Sequence, residues 1–284
     1  MKSYKFIIDN LFKQSTLIYS ISVIGLMLMG CEQQAIQTLP ERSWTLVWSD
    51  DFSGTAGTLP DQSKWTFDIG TGDNGWGNSE LEYYTNKTSN VQLNGDGQLI
   101  ITARKEQYSG SGFTSARIKT QGLFSQAYGR FEAKLKTPTG PGLWPAFWLL
   151  GENIKEVNWP ECGEIDIMEQ RGQQPSITHG SVHGPGYFGA NAKTKGFGLQ
   201  QGRFDQEYHV YAIEWTSDCI DYYVDNVLFQ RIQPSDLTGK WVFDKPMFII
   251  LNVAVGGNYV GYPTSETPFP QSMIIDYVKV YKQS

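Results

Sequence analysis

From residue 43 onward, apolar and polar positions alternate in short runs, and almost nowhere do apolar residues recur at helical spacing. The segments 98–103, 129–136, 165–169, 209–215, 221–224, 248–255 and 273–281 each fit period two or a short apolar run. Side chains of a strand point alternately to its two faces, so period two marks an element with one face in a core. Turn-forming joints separate the runs: Asn94-Gly95-Asp96-Gly97, Gly140-Pro141-Gly142, Gly184-Pro185-Gly186 and Asp225-Asn226. No stretch of a dozen residues here reads as an amphipathic helix. Many short strands with such turns predict a sandwich or barrel of antiparallel sheets.

The N-terminus follows another pattern. Lys2, Lys5 and Lys13 precede an apolar run over 16–29, and Gly30-Cys31 follows it. That is the layout of a secretory signal, too short and wrongly flanked for a spanning helix. Leu28-Met29-Gly30-Cys31 resembles a bacterial lipoprotein cleavage box, in which the cysteine becomes the lipidated N-terminus. Residues 1–30 are therefore expected to be removed, 31–42 to form a polar tether lipidated at Cys31, and 43–284 to fold as a single domain. The expected location is the bacterial cell envelope, periplasmic or at the cell surface, with the anchor as the sole membrane contact.

Losing Lys2, Lys5, Lys13 and Asp9 removes two net positive charges, so the formal charge moves from −6 to −8. An acidic chain without a basic tract excludes nucleic acid as a natural partner and suits a neutral ligand such as a polysaccharide. A monomer is expected. Nine tryptophans, fifteen tyrosines and fifteen phenylalanines exceed what a sandwich core of this size needs. Flat rings stack on the apolar faces of sugars, so a sugar cleft would use the surplus, while many of the rings pack the core. Cys162 and Cys219 could pair, but spacing does not decide it. Two cysteines and three histidines offer no zinc-ligand spacing.

Glu164-Ile165-Asp166-Ile167-Met168-Glu169 is the most informative segment. In a regular strand Glu164 and Asp166 share one face, and Glu169 falls on the other beside two isoleucines. An unpaired buried carboxylate is costly. One extra residue at Ile167-Met168, taken as Met168, would form a β-bulge and return Glu169 to the face of the other acids. Glycosidic cleavage needs one carboxylic acid to protonate the leaving oxygen and a second carboxylate to attack or stabilise the oxocarbenium-like centre. Neighbouring charges separate the pKa values and permit both roles. From spacing alone, an acidic solvent-facing strand and a calcium site remain open.

The surrounding residues add a resemblance. The segment from Trp159 to Glu169, Trp-Pro-Glu-Cys-Gly-Glu-Ile-Asp-Ile-Met-Glu, resembles the signature of glycoside hydrolase family 16, in the bulged form of laminarinase-type endo-1,3-β-glucanases, agarases and carrageenases. Gly75-Trp76-Gly77-Asn78-Ser79-Glu80, Leu143-Trp144-Pro145-Ala146-Phe147-Trp148, the run from His179 to Gly186, and Asn252-Val253-Ala254-Val255-Gly256-Gly257 agree with the laminarinase branch. The likeness runs from about Trp44 to Tyr281. It implies a β-jelly-roll sandwich of two curved antiparallel sheets with a concave substrate cleft. It implies Glu164 as nucleophile, Asp166 as its assistant and Glu169 as general acid/base. Retention of configuration implies carboxyl groups about 5–5.5 Å apart.

By the same resemblance Asn78 and Arg117 bind sugar hydroxyls, Trp144 and Trp148 floor the cleft from one strand face, and Trp159 walls it. His183 is expected near the acid/base, with His179 on the same strand face. No cofactor is implied for catalysis. A structural calcium is implied at Asp276, with backbone carbonyls near Asp51 and Gly95. Glu82 stands where the branch usually carries glutamine, and a carboxylate there is expected to act on sugar preference. The implied activity is endo-hydrolysis of β-1,3-glucan such as laminarin. Hydrolysis of mixed-linkage glucan, agar or carrageenan, and a non-catalytic glucan-binding module, stand as alternatives.

Overall fold

The structure, a computed structural model, describes residues 42–284. In chain order its strands begin with β1 (Trp44–Asp50), β2 (Thr66–Asp68), β3 (Glu82–Tyr84), β4 (Val91–Leu93), β5 (Leu99–Tyr108) and β6 (Ser111–Ser115). They continue with β7 (Arg117–Lys119), β8 (Gly129–Lys136), β9 (Leu143–Gly151), β10 (Glu164–Glu169), β11 (Ile177–His183) and β12 (Lys193–Gly198). The last are β13 (His209–Trp215), β14 (Ile220–Val224), β15 (Val227–Ile232), β16 (Met247–Val255) and β17 (Gln271–Gln283). No α-helix occurs among the described residues, in line with the missing helical periodicity.

Two sheets pack as a β-jelly-roll sandwich. The outer sheet runs β15-β14-β13-β8-β17-β5-β6-β3, with β1 beside β17 and β4 beside β5. The inner sheet runs β12-β11-β10-β9-β16-β7-β2. Pairing is antiparallel except between β3 and β6. Phe131, Leu135, Tyr211, Ile213 and Trp215 of the outer sheet share one core with Phe147, Leu149, Ile165, Val182 and Leu251 of the inner. Full burial of one such side chain is worth about 1.5–3 kcal/mol, so this face fixes the register of every inner strand. β16 is buried at every position, in line with a sequence that is apolar except at Asn252.

Arg42 is docked on the outer sheet, its guanidinium 2.8 Å from Glu214 and 3.1 Å from Asp221. The signal and Cys31 lie outside the described residues. Cys162 and Cys219 are buried and unpaired, Cys162 packing with Leu150, Phe248 and Ile250.

Candidate active site

β10 and β9 lie side by side in the inner sheet, and their register breaks where the sequence requires it. Glu164 opposes Leu150 and Asp166 opposes Trp148, but Met168 opposes Phe147, so two residues of β10 advance against one of β9. Towards β11 the break falls between Asp166, opposite Ser181, and Glu169, opposite His179. In the β9 register the extra residue is Ile167, a one-residue correction to the expectation of Met168. Both side chains join the core. Burying two adjacent apolar groups is far cheaper than burying the Glu169 carboxylate without a partner.

The bulge brings Glu164, Asp166 and Glu169 to one face, and each meets donors there. Trp159 Nε1 donates to Glu164 Oε2 at 2.9 Å. Trp144 Nε1 donates to Glu169 Oε1 at 3.0 Å, and Ser181 Oγ donates to its Oε2 at 3.3 Å. His183 Nε2 lies 3.1 Å from Asp166 Oδ2 and 3.7 Å from Glu164 Oε1. The Gly189 N–H points at His183 Nδ1, 3.1 Å away, so in its neutral form the ring carries its proton on Nε2, facing the acids.

Burial raises the pKa of all three acids, against the pull of the donors. Glu164 is raised by desolvation, with His183 opposing and the charge of Glu169 adding. Desolvation and then the Glu164 charge lift Asp166 to about 7. Desolvation and then the Asp166 charge lift Glu169 to about 8, while His183, Trp144 and Ser181 pull it down. Burial disfavours charge on His183, but Glu164 and Asp166 outweigh it and raise the ring above its usual range. At neutral pH such a group holds a protonated acid beside an ionised one, the pairing that glycosidic cleavage needs. Glu164, Asp166 and His183 are also close enough together to seat a cation. The Nε2 proton of His183 faces the acids and occupies that space.

The other expected residues surround this group. Trp148 shares the β9 face with Trp144, and its Nε1 donates to Asn252 Oδ1 at 2.8 Å. Arg117 lies between the rings of Trp76 and Trp148, 4.6 and 4.8 Å from their centroids, and pairs with Asp68 at 2.9 Å. Asn78 sits in a wide turn over Gly75–Ser79 closed by i→i+5 hydrogen bonds, and its Nδ2 donates to Glu80 Oε1 at 3.0 Å. Trp159 is 40% exposed at the rim beside His183 and Phe188.

The structure also places the remaining expected residues. His183 sits beside Glu164 and Asp166, and it is His179 that opposes Glu169 in register, its ring bound to Tyr259 Oη at 3.0 Å. Alternation could not separate these two histidines, because the bulge alone decides which acid each one meets. Glu82 does not reach the cleft: it is fully buried, and its Oε2 accepts the Val255 N–H at 2.6 Å. The Asp276 carboxylate pairs with Lys134 at 2.8 Å. A cation bound at Asp276 would take the place of that lysine.

Ser181 and Asn252, which stand in matching segments without an assigned role, also belong to the site, as do Phe188 and Tyr259. The place of Ser181 is legible in the sequence, since it falls between His179 and His183 on the same strand face. Tyr259 packs against Trp144 at 5.0 Å with Arg171 stacked on it at 4.3 Å, but it stands in a loop with no periodic signal.

Residues 78–279 match the family model described as glycosyl hydrolases family 16. A beta-glucanase of Rhodothermus marinus is 42% identical over 248 residues, which cover 84% of this chain and 85% of that protein. A glucan endo-1,3-beta-glucosidase A1 of Niallia circulans is 37% identical, over 84% of this chain and 38% of that longer protein. The crystal structure of the laminarinase catalytic domain from Thermotoga maritima superposes with a TM-score of 0.81 at 45% identity, covering 85% of this chain and 99% of that one. With the bulged acid strand in place within the inner sheet, the chain belongs to glycosyl hydrolases family 16.

Proposed function

We propose that this protein is a retaining, endo-acting hydrolase of β-1,3-glucans such as laminarin. The observation that carries the reading is the bulge that sets Glu164, Asp166 and Glu169 on one face, between tryptophans whose indole N–H groups reach the outer two. The similarity to proteins described as laminarinases and endo-1,3-glucosidases supplies the substrate class.

In this reading Glu169, raised to about 8, enters the cycle protonated and gives its proton to the leaving oxygen. Glu164, with the Trp159 N–H and the nearby charge of His183 favouring its anion, attacks the anomeric carbon and forms a glycosyl ester. Asp166 lies between them on the strand, close enough for its charge to act on Glu164, which steadies the nucleophile before and after attack. Glu169, now ionised, takes a proton from water, and that water hydrolyses the ester with net retention. Trp144, Trp148 and Trp159 offer ring faces to glucose units, and Asn78 and Arg117 offer donors to hydroxyls. Intact acids argue against a non-catalytic binding module, and the acidic surface argues against sulfated galactans.

Products from laminarin, lichenan, agarose and carrageenan, compared side by side, test the substrate. Oligosaccharides of several lengths from laminarin, released first as the β-anomer, are expected. Release of the α-anomer, or turnover confined to agarose or carrageenan, would overturn the reading. For the N-terminus, we propose removal of residues 1–30 and lipidation of Cys31, which would hold the enzyme at the cell envelope.

A further inference from the structure

Behind Glu169 a line of two hydroxyls leads to the sheet edge. Ser181 is buried on β11, and its Oγ donates to Glu169 Oε2. Thr194 is exposed on the edge strand β12, and its Oγ1 donates to Ser181 Oγ at 2.9 Å. The backbone holds both in place. Ser181 opposes Asp166 on one side and Thr194 on the other, and Tyr222 of the outer sheet donates to the Ser181 carbonyl at 2.7 Å.

A serine hydroxyl has one hydrogen, so the direction in which it donates is a choice. Left alone beside a protonated carboxyl, Ser181 could turn and accept the acid's own proton, holding it away from the glycosidic oxygen. The hydrogen arriving from Thr194 occupies the acceptor side of Ser181 and biases its single hydrogen towards Glu169. The 3.3 Å separation is long for a hydroxyl donor, as suits a neutral carboxyl. It would shorten as Glu169 gives up its proton and becomes a carboxylate.

We propose that Ser181 and Thr194 are positioning residues for the acid/base, a two-hydroxyl chain that keeps the Ser181 hydrogen pointed at Glu169 and stabilises the carboxylate formed in the first chemical step. This rests on Glu169 being the acid/base. Other groups also face Glu169. Asp166 and Glu164 lie on its own strand, His183 and His179 on β11, and Trp144 on β9. Tyr259, with Arg171 on its ring, faces it from a loop, and Tyr222 from the outer sheet. None of these touches Thr194 in the hydrogen bonds of the site, so a change at Thr194 reaches Glu169 through Ser181.

Thr194→Val keeps the β-branched shape on an exposed edge position and removes only the hydroxyl. Weakening a donor to the carboxylate favours the protonated acid, so the alkaline limb of kcat/KM on laminarin should move up by about half a pH unit. Below that limb kcat should fall roughly three- to tenfold, because a hydrogen bond that strengthens in the transition state is lost, with KM nearly unchanged. An aryl β-glycoside of a 1,3-linked glucose disaccharide, whose leaving group needs no proton, should be cleaved at the wild-type rate where formation of the ester limits turnover. Thr194→Ser should restore both limb and rate. In a Ser181→Ala background, Thr194→Val should add nothing. An unmoved alkaline limb, an equal loss on the aryl glycoside, or additive losses in the double variant would each overturn the proposal. The reading beneath it fails separately, through a Glu169→Gln variant that keeps full turnover on laminarin.

Discussion

Glu82→Gln should make this protein more stable, and only above a definable pH. Glu82 on β3 has no exposed surface, and one carboxyl oxygen accepts the Val255 N–H while the other is buried without a partner. Burial, and then the neighbouring Glu80 carboxylate, push its pKa well above the usual carboxylate range. Glu80 is itself held by Asn78 Nδ2 and by the Tyr84 hydroxyl. A proton on Glu82 is therefore the economical arrangement: it removes a buried charge from beside the half-buried Glu80 carboxylate and supplies a donor towards it. In the unfolded chain Glu82 ionises near pH 4.3, about the ordinary glutamate value. A raised folded pKa gives a stabilising contribution that is complete below that pH and declines as pH rises towards the folded pKa. Each pH unit in that interval weakens the folded state by about 1.4 kcal/mol. Glutamine keeps the shape, still accepts from Val255, still offers hydrogens to Glu80, and does not titrate. The two proteins should melt together near pH 4. At higher pH the variant should gain about 2–4 °C for every kcal/mol that the wild type has lost, measured by calorimetry on the described domain or the full chain. A melting difference that does not change with pH, or a variant that melts lower throughout, would refute the argument for a buried protonated Glu82.

Other perturbations test the acid strand and the N-terminus. On laminarin, kcat/KM should fall as pH rises through about 8, where Glu169 loses the proton it must donate, and a profile flat to pH 10 would contradict that role. Glu164→Gln and Glu169→Gln should each reduce kcat roughly a hundredfold or more without lowering the melting temperature. Azide should rescue Glu164→Gly on an activated aryl glycoside, giving an inverted glycosyl azide, and an inverted azide from Glu169→Gly instead would exchange the two roles. Deleting Ile167 should restore a regular ladder and depress turnover more than stability, whereas Ile167→Val should cost only about 0.5–1.5 kcal/mol of stability. The reverse order would show that the side chain matters more than the residue count. Labelled palmitate should enter the wild type and not Cys31→Ala, and soluble, unlabelled wild type would refute the anchor.

The sequence by itself determined the fold class. Period-two patterning and turn residues put strands at 129–136 and 209–215 with the bounds the structure gives them, because one buried face repeats at the strand's own period. It also exposed the acid strand, since three carboxylates among isoleucines can be reconciled with burial only by a bulge. Where pairing rather than burial extends an element, the pattern is silent: β5 runs on to Tyr108 through polar residues 104–107, which are held by backbone bonds to β6 and not by a core. The tertiary structure alone decided that the extra residue is Ile167, that His183 meets Glu164 and Asp166 while His179 faces Glu169, and that Glu82 lies beneath the cleft. It also brought Ser181, Thr194 and Tyr259 into the site. Each of these depends on the register between strands distant in sequence. A shift of one residue turns a side chain to the opposite face, and local patterning records which face is apolar but not which partner stands across from it.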